Sequence, residues 1–271
     1  MLNKPYKFKR EDFDQILFTS DQHYNHNPNW SCDPLWKTRG FKSIDEHDEW
    51  MRSEYAKVSE KSIIFSLGDP ALNSTPEKLL GLFNQTNAHI YHIWGNHFSC
   101  DYAIYRNAMN GYLWQQAFYD DPRPCDALDI TLPLKYEIYP FTVTRYFYDN
   151  VFGYNTKHPD KQLISGQPGM VLDPPTLTFL GSDASIQIDK KIFYLTHMAP
   201  TIFDRKAVGA LIGHSHGDLD GAQPDETSRG KLLDVGVDNS IKYNNSAFFT
   251  FEEVVRIMDK KPNKSLDHAE K

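Results

Sequence analysis

Five short apolar runs in this chain stop abruptly at aspartate, asparagine or histidine. Ile16 to Ser20 stops at Asp21 and His23, and Ser62 to Leu67 at Gly68-Asp69-Pro70. His89 to Trp94 stops at Gly95-Asn96-His97, Lys191 to Leu195 at Thr196-His197, and Ala210 to Ile212 at Gly213-His214-Ser215-His216-Gly217. Runs of this length bounded by turn residues read as buried strands. Helix signals separate the first three. Ser43-Ile44-Asp45-Glu46 has the form of a capping box and predicts a helix over about 44–59. Thr75-Pro76-Glu77 combines a cap residue with proline at the first helical position. Strands alternating with helices predict a parallel α/β sheet for this part, and such a sheet places its site outside the carboxyl ends of its strands.

The rest of the chain is less regular. Residues 1–15 read as a polar lead-in. From about 98 to 175 the alternation stops, with strand-like pieces at Ile130 to Leu134 and Tyr136 to Tyr146 and a Gly/Pro-punctuated stretch from Asn150 to Pro175. This reads as an insertion or an elaborated sheet edge within one domain spanning 1–260. Strands resume at Thr176 to Leu180. Ser185 to Ile188 and Lys191 to Leu195 flank Asp189-Lys190 as a hairpin. Lys231 to Asp238 reads as a strand and turn, Ala247 to Phe251 as a closing strand, and Phe251 to Lys260 as a helix. Residues 261–271 read as a disordered polar tail.

Composition narrows the function. The 271 residues are 40% hydrophobic and 24% charged, enough for one large domain with a sizeable core. A net charge of −7 argues against gripping nucleic acid by bulk charge. It does not exclude a nuclease, whose metals supply local positive charge. Three cysteines, without a C-x-x-C, do not make a disulfide framework, so a reducing, cytoplasmic setting is expected. No run approaches membrane-spanning length.

The residues at the strand ends are metal-ligand types. Imidazole is the commonest protein ligand near neutral pH, and carboxylate and amide oxygens complete mixed N/O sites for manganese, iron, nickel or zinc. An isolated H-x-H is most simply a polar turn. Five such endings in one chain do not share that explanation comfortably.

D-x-H, G-D, G-N-H, a lone histidine and G-H-x-H, in this order over residues 21–216, resemble the pattern of the calcineurin-like metallophosphoesterases. Thr38-Arg39-Gly40-Phe41 and Leu233-Asp234-Val235-Gly236-Val237-Asp238 further resemble a small bacterial and phage-type branch. The resemblance implies a four-layer α/β/β/α sandwich, two mixed sheets face to face with helices outside. It implies two divalent transition-metal ions, manganese preferred. Asp21, His23 and His216 would hold one, Asn96, His197 and His214 the other, and Asp69 would bridge them. It implies metal-assisted hydrolysis of a phosphate ester with His97 as general acid. The expected substrate is a diester of nucleotide or nucleic-acid type. The alternatives are a phosphomonoesterase, or a non-catalytic binding or scaffold module that kept the fold.

Arg39 and His26 are candidate phosphate contacts, with a surface ion pair as the other reading of Arg39. Two positions depart from the family pattern. Leu72 stands where G-D-x-x-D has its second acid, and Phe98 where an acid often follows G-N-H. In relatives those acids support the catalytic histidine. Aromatics between Tyr136 and Tyr154, near Arg145, Lys157 and Lys161, either stack nucleotides or pack a sheet edge.

Overall fold

The computed structural model describes residues 4–26, 34–97, 100–102, 104–105, 141–144, 175–200, 206–226 and 230–262. The apolar runs become strands with the expected alternation of faces. In β2 (Ile16–Thr19), β3 (Ile63–Ser66) and β4 (His89–Ile93), Phe18, Phe65 and Tyr91 are register partners. They stack in a row, with ring centroids 5.3 Å apart at each step. Leu17, Ile64 and Ile90 point to the opposite face.

These strands belong to a six-stranded sheet. It also contains β5 (Phe141–Thr144), β6 (Pro175–Gly181) and β11 (Phe249–Thr250), in the order β11-β2-β3-β4-β6-β5. Its centre is parallel, but both edge strands are antiparallel, so the sheet is mixed where the helix–strand alternation suggested parallel pairing. The second sheet has five strands in the order β1-β7-β8-β9-β10. These are β1 (Tyr6–Phe8), β7 (Asp183–Ile188), β8 (Lys191–Thr196), β9 (Gly209–Ile212) and β10 (Leu232–Asp234). The hairpin forms as expected, with β7 antiparallel to β8, and the other pairings are parallel. The protein is thus α/β, with two mixed sheets and helices.

One buried cluster draws Phe18, Phe65 and Ile93 from the first sheet and Ile186, Phe193, Leu211 and Leu233 from the second. A separate cluster joins the other face of the six-stranded sheet to Met51, Tyr55, Leu79 and Phe83. These four come from α2 (Ile44–Ala56) and α3 (Pro76–Phe83), which follow the one-turn α1 (Leu35–Thr38). Ser43 caps α2 by accepting from the Glu46 amide. Glu46 reaches the Lys42 amide rather than that of Ser43, so only half of the expected capping box forms. A full capping box starts the C-terminal helix, Phe251–Lys260, at Thr250 and Glu253.

Three sequence expectations need correction. The polar lead-in contains β1, because Tyr6 and Phe8 pack against the inter-sheet core while Lys7 faces outward. After β10 the chain forms a helix, α4 (Val237–Asn244), rather than a turn. Lys261, assigned to the tail, is 3% exposed: its ammonium donates to the carbonyls of Gly221, Gln223 and Glu226 at 2.9, 2.8 and 2.6 Å, using all three of its protons. The 98–175 region lies outside the described residues except at 100–102, 104–105, 141–144 and 175, as does the tail beyond 262. Among the described residues no helix is long and apolar enough to cross a membrane.

Candidate metal centre

All the strand-end residues converge at one end of the two sheets. The loops there continue the strand register for a few residues. The Asp21 amide donates to Gly68 O, the His23 amide to Asp69 O, and the Gly213 amide to His197 O. The two sheets are also joined at this point. Ser20 and Gly236 form an isolated parallel bridge, and the Val237 amide donates to Ser20 O at 3.0 Å.

The backbone is strained at the candidate ligands themselves. Asp21, His23, Asp69, His214 and His216 all have positive φ, between 47° and 67°. For residues other than glycine such conformations cost about 1–3 kcal/mol each and persist only where the surroundings enforce them. The strain aims the side chains inward, in two groups. Asp21, His23 and His216 each place a ligand atom within 4.8 Å of the others, and so do Asp69, His197 and His214.

In the first group the Asp21 carboxylate is fully buried. One oxygen accepts from the His214 amide at 2.8 Å. The other has no hydrogen-bond partner. It lies 3.8 Å from His23 Nε2, 3.9 Å from His216 Nε2 and 4.0 Å from His197 Nε2. These separations are too long for hydrogen bonds. They lie within the span of two donors that each sit about 2.0–2.2 Å from a shared cation. Both nitrogens of His23 are also buried without a partner, and burial lowers its pKa, which keeps a lone pair available. Burial works against the Asp21 charge, but the surrounding histidines outweigh it and lower its pKa.

In the second group His197 Nδ1 donates to Leu67 O at 2.8 Å, which turns Nε2 toward the site. Nε2 faces Asn96 Oδ1 at 2.9 Å and Asp69 Oδ2 at 3.2 Å. Two oxygen acceptors around one ring nitrogen require a proton or a cation between them. Without a cation the proton stays: burial opposes the charged ring, but Asp69 and Asp21 override it and raise the His197 pKa. Asp69 in turn is held at about 2 against the effect of burial, chiefly by His197 and by the His97 amide, which donates to its other oxygen at 2.8 Å. Asp69 fits this close only because residue 95 is glycine, since a Cβ there would overlap the carboxylate.

Buried ligand atoms without a partner, with imidazoles and carboxylates in two adjacent groups, fit divalent cations held by N and O ligands. Asn96 belongs with the second group through its contact with His197. Asp69 belongs to that group too.

The groups behind the ligands were not legible as site residues in the sequence. His216 Nδ1 donates to Asp238 Oδ2 at 3.0 Å, which leaves Nε2 facing Asp21. Asp238 is also gripped by Arg39 through two bonds, at 3.0 and 2.7 Å. Burial alone would raise the Asp238 pKa, but Arg39 and His216 hold it far below the ordinary carboxylate range. Arg39 also donates to Asp21 O at 2.6 Å, to Gln22 O at 3.0 Å and to His47 Nε2 at 3.0 Å, and His47 donates onward to Asp48.

With a side chain 1% exposed and its donors committed, Arg39 is not a phosphate contact. It is a buried brace between the Asp21 backbone and Asp238. Asp234 clamps the histidine loop by accepting from Ser215 Oγ and from the Gly217 and Gly236 amides. Burial, with the nearby Asp21 charge, pushes the Asp234 carboxyl up to about 6. The motifs Thr38-Arg39-Gly40-Phe41 and Leu233-Asp234-Val235-Gly236-Val237-Asp238 were the visible signals for this layer.

His97 stands exposed at the edge of the site, its ring centroid 6.1 Å from that of His23. No side chain among the described residues holds its ring. His26 packs against His23 at 5.3 Å, both its nitrogens shielded and unpartnered, and burial lowers its pKa to about 4.

No family model matches this sequence, and no curated protein matches it. One solved structure does, a protein of unknown function, AQ665, from Aquifex aeolicus. The match covers 90% of this chain and 98% of that one, at 12% identity and a TM-score of 0.47.

Proposed function

We propose that this chain is a metal-dependent phosphoesterase of the calcineurin-like family with a four-layer α/β/β/α fold, acting on phosphodiesters of nucleotide or nucleic-acid type. The observation that carries the reading is the pair of donor groups, six residues on strained or buried backbone whose ligand atoms converge in two sets. Asp21, His23 and His216 would hold one ion. Asp69, His197, His214 and Asn96 would hold the other, with Asp69 as the shared carboxylate. Bound there, two divalent ions supply an activated water and offset charge building on the phosphate oxygens.

The chain's own residues do the rest. Asp238 and Leu67 O fix the tautomers of His216 and His197. The Asp69 carboxylate holds the His97 amide and so sets where that residue leaves the sheet. His97, exposed beside the site, donates the proton to the leaving oxygen.

Metal analysis of purified protein, with turnover of model diesters and monoesters in Mn²⁺, tests the proposal. The expected result is close to two ions per chain, diester hydrolysis, and loss of both activity and metal in Asp69→Asn. Robust monoester turnover without diester turnover would replace the diesterase reading by a phosphomonoesterase. A metal-free protein whose mutant matches wild type on every ester would leave only a binding module.

A further inference from the structure

A cavity of about 370 Å³ opens beside the second donor group. Asn96 and His197 line it and belong to that group, so whatever fills it lies next to the ions' position. Its walls include Trp94, Tyr102 and Met198. Trp94 is stacked on Phe179 with centroids 4.7 Å apart, so its ring is a fixed surface, and Tyr102 meets it edge-on at 5.8 Å. Met198 directly follows the candidate ligand His197. It is 51% exposed, and among the described residues it is the large apolar side chain left most open to water.

The remaining polar lining, Ser182 and Thr196, is uncharged. Among the described lining residues there is no acid, lysine or arginine. The volume falls in the range of small-molecule sites. Rigid aromatic walls with a polarisable thioether at the mouth select a flat, neutral ring. Inorganic phosphate or a small sugar phosphate would leave these walls bare.

Resting on the phosphoesterase reading, we propose that this cavity is a substrate subsite that takes a neutral, ring-bearing alcohol portion of the ester, a nucleoside or aryl group. The phosphate is then presented to the adjacent donor groups.

Two measurements on the full chain test it. In the first, the Met198 methyl signal, assigned with Met198→Leu, is followed by NMR during titration with adenosine and with ribose, with and without diamagnetic Zn²⁺. Adenosine should shift it saturably and ribose should not, and Ser182→Trp, an exposed position at the cavity, should abolish the shift. No response to adenosine, or an equal response to ribose, overturns the proposal.

In the second, KM is compared for bis(p-nitrophenyl) phosphate and for the ring-free diester glycerophosphoethanolamine. Ser182→Trp should raise the first about ten-fold, the scale on which an apolar pocket discriminates, and leave the second within about two-fold. Equal effects on both esters overturn the subsite. If wild-type protein hydrolyses neither ester, the phosphoesterase reading fails, and the titration still decides whether the cavity takes a ring.

Discussion

Among single residues, Asp238 has the most to hold. It neutralises Arg39 and orients His216, and the Arg39 side chain it balances is itself buried. In Asp238→Ala the guanidinium loses its counter-charge and His216 loses the acceptor that fixes its tautomer. Breaking a buried pair this way costs about 3–5 kcal/mol. The Asp21/His23/His216 ion should also bind about 10–100-fold more weakly. Chemical denaturation and metal titration read the two effects separately, and an unchanged metal affinity would reduce Asp238 to a purely structural role. Arg39→Lys should destabilise in the same assay, because one ammonium cannot replace a two-point grip together with bonds to Asp21 O, Gln22 O and His47. The candidate ligands were legible because each sits where an apolar run ends. Asp238, Asp234 and His47 were not, because they reach the site through long-range contacts, Asp238 to Arg39 and His216, Asp234 to Ser215 and Gly217, His47 to Arg39. Arg39 was misread because sequence displays a charge but not its burial.

The elements matter here mainly through their ends. A strand that stops in a left-handed residue turns its last side chain off the sheet plane, and five candidate ligands use this device. Close backbone approach lets the loops nest, and Gly95 and Gly213 are the tightest cases. Gly95→Ala should leave the strands intact but push the Asp69 carboxylate aside. Metal stoichiometry should fall toward one ion, with the loss in the Asp69/His197/His214 group. Far-UV circular dichroism unchanged from wild type would show that the fold survived, whereas full metal occupancy would contradict the crowding argument. The strong elements, β2, β3, β4 and the β7–β8 hairpin, were readable from apolar runs and turn residues. α4 was not: it is eight residues long, follows Gly236 without a side-chain cap, and begins in residues that read as a turn. β1 was hidden by its flanking lysines, which are what an edge strand carries.

At the scale of the molecule, the site couples proton binding to stability. His197 and His216 have pKa values raised above 6.5, because their carboxylate partners outweigh burial. The stability they contribute is fully present below 6.5 and is lost as pH rises through their folded values. Asp234, raised to about 6, adds a decline of the same sign that is complete above that pH. His23, His26 and His47, lowered by burial, act in the opposite sense, and their contribution fades as pH rises past 6.5. Metal-stripped protein should therefore lose stability as pH rises from above 6.5 through the folded values of His197 and His216. With Mn²⁺ or Zn²⁺ the slope should reverse, because ligation displaces those protons. Thermal melts across this window, with and without chelator, would show it, and parallel pH trends in the two series would refute it.

Each donor group takes residues from both sheets. Asp21 and His23 follow β2 and Asp69 follows β3 of the six-stranded sheet, while His197 follows β8 and His214 and His216 follow β9 of the other. An ion in either group would then be a removable staple between the two sheets, and in the first group it would tie Asp21 to His216, far apart in the sequence. Like any cross-link that closes a long loop, it should disfavour the open chain. Chelation should therefore be felt far from the loops, as faster amide exchange at the buried face between the sheets.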